Sequence, residues 1–347
     1  MNDIKIGIHY TPDMPEFSWS YEWEKELKKR NVEVKRINFF DSDIMNHIKD
    51  CNGVMWHWFH SPVYKFVADK TLPNIQLNMD IPIFPNLNTC WHYDEKVAQH
   101  YLLNSIDAPR VPSWVFYDYN QAIDFIENAN YPLVFKLSLG AGSANVLKIE
   151  NKDEAKVMVD RMFNQGIFPY TLNEYKNNKG KKEKFKEMIE YIKNDKYPAI
   201  PTWHHMLQKD YVYFQKFLPN NNYDIRITII GDRAFSFIRY NRDDDFRASG
   251  SGKIDYDTTK IPMEAVKIAF EVSKTCKFQS MAYDFMYDED KVVINEMSYC
   301  YSAEAVGKCS GYWDNNLKWH EKQMMPQEAH VEDFLNEIKK KNIIKEG

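Results

Sequence analysis

The sequence predicts a mixed α/β (α+β) protein of three units, and three observations carry that expectation. The first ninety residues alternate strand-like and helix-like segments, the rhythm of a small parallel sheet flanked by helices. The alternation restarts at Tyr93. The last part is strand-rich, with two pairs of segments spaced as antiparallel hairpins. At 347 residues the chain can form two or three packed units with a cleft between them.

The first unit, 1–92, reads as a strand over 4–9, a helix over 21–30, a strand over 32–39, a short helix near 42–48 and a strand over 53–59. It carries no GxGxxG, so it lacks a dinucleotide fingerprint and reads as a scaffold or substrate wall. The second unit, 93–210, opens with an amphipathic helix whose apolar residues Val97, Tyr101, Leu102 and Ile106 leave Lys96 on or near the other side. A strand over 111–116 follows, then a helix over 121–128 capped by Asn120 and a strand over 133–138. A Gly-rich turn leads to a strand over 145–149 and a helix over 154–163. The Lys- and Asn-rich stretch at 173–197 reads as an insertion with a solvated helix face.

The third unit, 211–347, begins with a strand over 211–218 and a hairpin of 223–230 with 234–240, turning at Gly231 and Asp232. After a helix over 262–275 comes a second hairpin, 281–287 with 291–297, turning through Asp288, Glu289 and Asp290. A tail helix over 331–341, polar on much of its surface, closes the chain.

Composition narrows the function. Hydrophobic residues are 44% and charged residues 27%, as in ordinary soluble proteins. The net charge of -5 and the lack of a basic stripe argue against a nucleic-acid partner. No stretch approaches the roughly 18 apolar residues that insert in a bilayer, and the first ten residues are not those of a signal peptide, so a cytoplasmic location is expected. The five scattered cysteines fit reduced thiols. Monomer and homodimer both stay open.

Within the second hairpin, Asp284 and Glu296 interrupt otherwise apolar strands, where an unpaired carboxylate is costly to bury. A three-residue turn sets Ala282 opposite Glu296 and puts Asp284 and Glu296 diagonally on one face, with Ser298 one step further, within reach of one divalent ion. A two-residue turn shifts the register and weakens this geometry, and an edge hairpin with both carboxylates in solvent is the alternative. Lys136 lies in an apolar strand just before Gly140, Ala141, Gly142 and Ser143, small residues that let backbone N–H groups fold over phosphates; alone, such a loop is more often a plain turn. Asp224 and Arg226 alternate on one strand and Arg239 and Arg242 end its partner; near two carboxylates they make a polyphosphate cradle, and singly they are surface ion pairs. The segment 247–253, with Arg247, is a loop able to close over a ligand or a plain hairpin end. His57, His60, His204 and His205 have no partner at catalytic spacing and read as packing residues.

Taken in order, Lys96, Lys136 with SLGAGSA, QKFL, DIRITIIG, MAYDF and INEMS resemble the ATP-grasp superfamily over about residues 93–305. The front unit resembles that family's Rossmann-like pre-ATP-grasp domain. The resemblance implies ATP and Mg2+ as cofactors, and an ADP-forming ligase that activates a small-molecule carboxylate as an acyl phosphate and joins it to an amine. It implies that Lys96 and Lys136 contact ATP phosphates, with Gly140, Gly142 and Ser143 in the phosphate loop. It places Gln215, where glutamate is more usual, with Lys216, Phe217 and Leu218 at the adenine edge. Asp284 and Glu296 would hold magnesium, with Ser298 standing where the family commonly has Asn. Arg226, Arg239 and Arg247 would be the catalytic arginines. The tail, from Cys309 and Gly311 through Tyr312, Trp313, Asp314, Trp319, His320 and Pro326, resembles a branch associated with bacterial capsule or lipopolysaccharide biosynthesis, which implies a sugar acid or amino acid substrate. A small-molecule kinase of the same fold and a non-catalytic nucleotide-binding scaffold subunit are the alternatives.

Overall fold

The structure, a computed structural model, describes residues 4–10, 18–140, 145–169, 206–242 and 252–346. Its strands form three sheets. The first contains β1 (Lys5–His9), β2 (Glu33–Ile37), β3 (Gly53–Met55) and β4 (Ile83–Phe84), all parallel in the order β2-β1-β3-β4. Buried Ile6, Ile8, Val54 and Met55 leave no polar face, as expected of a parallel sheet covered on both sides. Helix Ser20–Lys29 buries Trp23 and Leu27. A helix over Pro62–Pro73, with proline in its first turn, is additional to the elements expected from sequence.

The second sheet is antiparallel: β5 (Ser113–Phe116), β6 (Leu133–Lys136), β7 (Val146–Ile149) and β8 (Val212–Lys216), in the order β5-β8-β6-β7. Helices Tyr119–Asn128 and Lys152–Asn164 pack Ala122, Ile126, Ala155 and Met158 against Leu133, Phe135 and Phe214. The first of these helices is capped by Asp118, whose carboxylate accepts from the Gln121 N–H, rather than by Asn120. The helix starts earlier than expected because Asp118 is the residue left in extended backbone with its carboxylate over the first turn.

The third sheet holds β9 (Tyr223–Ile230), β10 (Arg233–Tyr240), β11 (Ile254–Asp255), β12 (Ser280–Asp288), β13 (Lys291–Ser298), β14 (Tyr312–Asp314) and β15 (Trp319–His320). Its order is β13-β12-β9-β10-β14-β15, with β11 beside β10. Strand alternation divides it. Ile225, Ile227, Ile229, Tyr283 and Phe285 face one way and join a core with Ala265, Ala269 and Val272 of helix Met263–Cys276. Asp224, Arg226 and Asp284 occupy the other parity and face a cleft.

The tail helix runs over Pro326–Glu346 and is far less superficial than its composition implies. Phe334, Leu335 and Ile338 are buried with Trp23, Leu27 and Met55 of the front unit. His330, fully buried, accepts from the Trp23 indole at 3.4 Å and lies 2.8 Å from the Tyr301 hydroxyl. Of the stretch 173–197 nothing lies within the described residues.

Candidate functional site: a charged face shared by two cavities

The second hairpin turns on two residues, Glu289 and Asp290, since Asp288 pairs with Lys291. Carried unchanged, that register would put Asn295 opposite Asp284 and Glu296 on the apolar face. A β-bulge between Asp284 and Phe285 absorbs one residue, Asn295, so that Phe285 pairs with Ile294 and Asp284 with Glu296. The carboxylates are therefore direct cross-strand neighbours rather than the diagonal pair expected from a three-residue turn. Ser298, opposite Ala282, lies on the same face. Its hydroxyl turns back on its own chain, donating to the Cys300 carbonyl at 2.8 Å and accepting from the Cys300 N–H at 3.2 Å.

Across the next strand Asp284 pairs with Arg226, and Asp224 pairs with Arg239 beyond it. Arg226 clasps Asp284 bidentately, Nε to Oδ1 and Nη2 to Oδ2, both at 2.7 Å. Arg239 does the same to Asp224 at 2.8 and 2.6 Å, and its Nη2 lies 2.7 Å from Asp284 Oδ2. Burial raises the cost of charge on Asp284, yet the two guanidinium groups hold its carboxyl well below the usual carboxylate range. Asp224 goes the other way, raised by burial and by the neighbouring Asp284.

Two lysines approach from the second unit. Lys136, on β6, is buried and reaches Asn295 Oδ1 at 3.1 Å. Burial with only this neutral partner pulls its ammonium down to about 8, despite the field of Glu296. Lys96 is also buried, against the expectation that it lies away from its helix's packed face. Helix Lys96–Ser105 buries Lys96, Gln99 and Leu103, while Tyr101 is 46% exposed. The inward face is polar because it meets the charged cleft. Lys96 Nζ donates to the Gly140 carbonyl at 2.7 Å and lies 3.1 Å from Glu296 Oε1. Burial alone would lower its pKa, but Glu296 and Asp94 carry it above the ordinary lysine value.

Gly140 has φ +124, a region open to glycine, and its N–H donates to Asp94 at 3.2 Å. Asn145 supports the same turn by donating to the carbonyls of Leu137 and Leu139. Gly142, Ser143 and Arg247 lie outside the described residues.

Two cavities meet on this face. One, of about 270 Å³, is lined by Lys136, by Gln215, Lys216, Phe217 and Leu218, and by the apolar side chains of Val111, Val134, Val146 and Met286. Gln215 is held by Ser113 at 3.2 Å, and Lys216 pairs with Asp288 at 2.6 Å. The other, of about 870 Å³, is walled by Trp19, His57, Phe59, Tyr93, Cys300 and Tyr301 and reaches Arg226 and Ser298. Arg239, Asp284 and Glu296 line both.

The Cys300 thiol lies 3.3 Å from His57 Nε2. Burial pushes the thiol up to about 12 and the imidazole down to about 3, so the pair is neutral and supplies no thiolate. His57 also stacks on Trp19 with centroids 3.9 Å apart, in line with the packing role read from sequence. His60 is instead 3.1 Å from Asp94, and His204 and His205 lie outside the described residues.

Sequence reasoning did not single out Asn295 or the apolar walls of the smaller cavity. The polar residue before Glu296 in an apolar strand was the available signal for the first. For the second there was none, because valines on strands look alike whether they face a core or a ligand.

Among the described residues no three His, Cys, Asp or Glu side chains form a metal cage. The donor set still fits magnesium, which takes one or two carboxylates and completes its octahedron with phosphate oxygens and water. Arg226 and Arg239 both meet Asp284 Oδ2, Arg226 also meets Oδ1, and Lys96 meets Glu296 through Oε1, so the contacts on Oδ1 and on Glu296 leave lone pairs for a metal.

No protein-family profile matches the sequence, and no curated protein matches it significantly. Solved structures do match in shape. A D-alanine–D-alanine ligase from Bacillus anthracis complexed with ATP aligns over 98% of this chain and 100% of its own, at 15% identity and TM-score 0.58. A RiPP-associated ATP-grasp ligase from Chryseobacterium gregarium, in complex with ADP and a leader and core peptide, covers 96% of this chain and 97% of its own, at 14% identity and TM-score 0.57. A RimK domain ATP-grasp protein from Sphaerobacter thermophilus covers 95% and 98%, at 12% identity and TM-score 0.53. Together with the three sheets and their order, these likenesses give the chain the ATP-grasp fold.

Proposed function

We propose that the chain is an ATP- and Mg2+-dependent ligase that activates a carboxylate as an acyl phosphate and joins it to an amine. The observation that carries this is the shared wall: Arg239, Asp284 and Glu296 front both the smaller cavity and the larger one. A phosphoryl donor in the first and an acceptor in the second meet over one set of charges. Lys216, Phe217 and Leu218 would edge the adenine between the valine walls, and Lys136 and Lys96 would face the phosphates. Gly142, Ser143 and Arg247 are assigned to the phosphate loop and the closing loop on the resemblance of sequence alone.

In this reading the substrate carboxylate oxygen attacks the γ-phosphorus of ATP and the bond to the β-bridging oxygen breaks, releasing ADP. The amine then attacks the acyl carbon, inorganic phosphate leaves with the C–O electron pair, and the amine loses a proton. Magnesium on Asp284 and Glu296 would neutralise phosphate charge. Arg226 and Arg239 are already oriented by bidentate carboxylates, so they hold their donors in place without reorganising as charge develops. No protein nucleophile is needed, consistent with the neutral Cys300–His57 contact.

The three-unit division at 92 and 210, a cytoplasmic location, and a sugar acid or amino acid substrate in surface polysaccharide assembly belong to the proposal. The last rests on the resemblance of the tail segment, whose Tyr312, Trp313, Trp319 and His320 form the β14–β15 hairpin. Among the described residues no helix is long and apolar enough to cross a membrane.

The test is an ADP-release assay over panels of carboxylates with and without amines, with products identified by mass spectrometry. The expected result is ADP formation that requires both partners and yields an amide. ADP release that never depends on an amine, with a stable phosphorylated product, would make the protein a kinase. Full biological activity in Asp284→Asn or Glu296→Gln would make it a non-catalytic subunit.

A further inference from the structure

We infer that this site is built for a single divalent ion, with the Lys96 ammonium serving as the second cation on Glu296; the inference rests on the ATP-and-magnesium reading above. The lone pairs on the charged face decide the matter. Asp284 Oδ2 meets Arg226 and Arg239, both at 2.7 Å, and Oδ1 meets Arg226 at 2.7 Å, which leaves Asp284 able to give one bond to one metal. The Ser298 hydroxyl, the next oxygen along the same face, is closed into a turn with Cys300, donating to its carbonyl and accepting from its N–H. Glu296 Oε1 lies 3.1 Å from Lys96 Nζ, so a metal on that oxygen would stand beside the ammonium.

Lys96 is fixed where it stands. It is 6% exposed, and its second bond, to the Gly140 carbonyl at 2.7 Å, anchors the ammonium at the base of the Gly-rich turn. A second dication bridging Asp284 and Glu296 would stand close to this buried ammonium, and like-charge repulsion opposes it. An ammonium has three donors, of which two are used here. The third is available to a phosphate oxygen. Lys96 thereby does in covalent form what a second metal ion would do, bridging a carboxylate and a phosphate, and it links that bridge to Gly140.

The experiment is a Mn2+ titration followed by electron paramagnetic resonance, with the full-length protein saturated by a non-hydrolysable ATP analogue. The wild type is expected to bind one Mn2+ per chain. Lys96→Gln, which frees Glu296 Oε1, is expected to gain a second, weaker ion, while Lys96→Arg, which keeps the charge, stays at one. Circular dichroism and thermal melts establish that each variant is folded. Two Mn2+ ions in the wild type would overturn the inference. A Lys96→Gln protein that is folded and still binds one would overturn the role given to Lys96. No Mn2+ bound beside the analogue would overturn the proposed function itself and this inference with it.

Discussion

The two faces of the third sheet are made by the same strands and obey opposite rules. On one face, Ile225, Ile227, Ile229, Tyr283 and Phe285 are all fully buried against helix Met263–Cys276, and each large side chain contributes roughly 1.5–3 kcal/mol of burial. On the other, Asp224, Arg226, Arg239 and Asp284 are almost as dry, and each depends on its partners to be there at all. The apolar face tolerates approximate complementarity. The charged face does not, because removing one member leaves another buried and unpaired.

That difference can be broken on purpose. The largest expected effect is Arg239→Met, which leaves Asp224 without its bidentate partner; a loss of about 3–5 kcal/mol in denaturant unfolding is expected, most of it regained in an Arg239→Met, Asp224→Leu double variant. Asp284→Asn keeps the shape but removes the anion proposed to hold magnesium. It should lower turnover by roughly 10²–10³-fold in the ADP-release assay while the melt changes less than in Arg239→Met.

Lys136 gives a pH test. In the free protein its pKa is lowered to about 8, and a bound phosphate favours the charged form and raises it again. Binding therefore takes up a proton once pH exceeds about 8, and nucleotide affinity should fall with rising pH there, by up to about tenfold per unit. Calorimetry in two buffers of different ionisation heat measures the proton uptake directly. A smaller change is expected on the apolar face: Ile227→Val, a single methyl group, should cost about 0.5–1.5 kcal/mol and leave nucleotide binding unchanged. Smallest of all is Lys308→Ala, whose partner Glu304 is exposed; its effect on the melt should stay within about 0.5 kcal/mol.

The strand rhythm was legible in the sequence because alternation is a local property. The hairpin 223–240 turns where Gly231 and Asp232 place it, and helix Met263–Cys276 lies where its apolar period puts it. Lys136, Gln215 through Leu218, Asp284 and Glu296 do converge around one cavity. The bulge at Asn295 was not legible, since nothing in the residue order says which strand absorbs an extra residue, and the choice is made by what lies above each face. Lys96 was assigned outward by a rule that equates packed with apolar, and that rule fails for a helix packed against a charged cleft. The tail helix misled in the same way. Its average polarity hid the row of His330, Phe334 and Ile338, whose partners lie three hundred residues earlier.

Gly53, in β3, has no room for a methyl group because the ring of Phe334 would come within 2.7 Å of it. The first sheet is thus shaped to receive a segment that a ribosome makes long after the sheet's own strands. Until residues 326–346 have emerged, Trp23, Leu27 and Met55 lack this cover, and the front unit stays unfinished long after its own residues have been made. A nascent chain halted before residue 326 should therefore be held by chaperones or lost to proteases. The larger cavity, whose Tyr301 wall leans on His330, would take its final form only once the tail helix has docked.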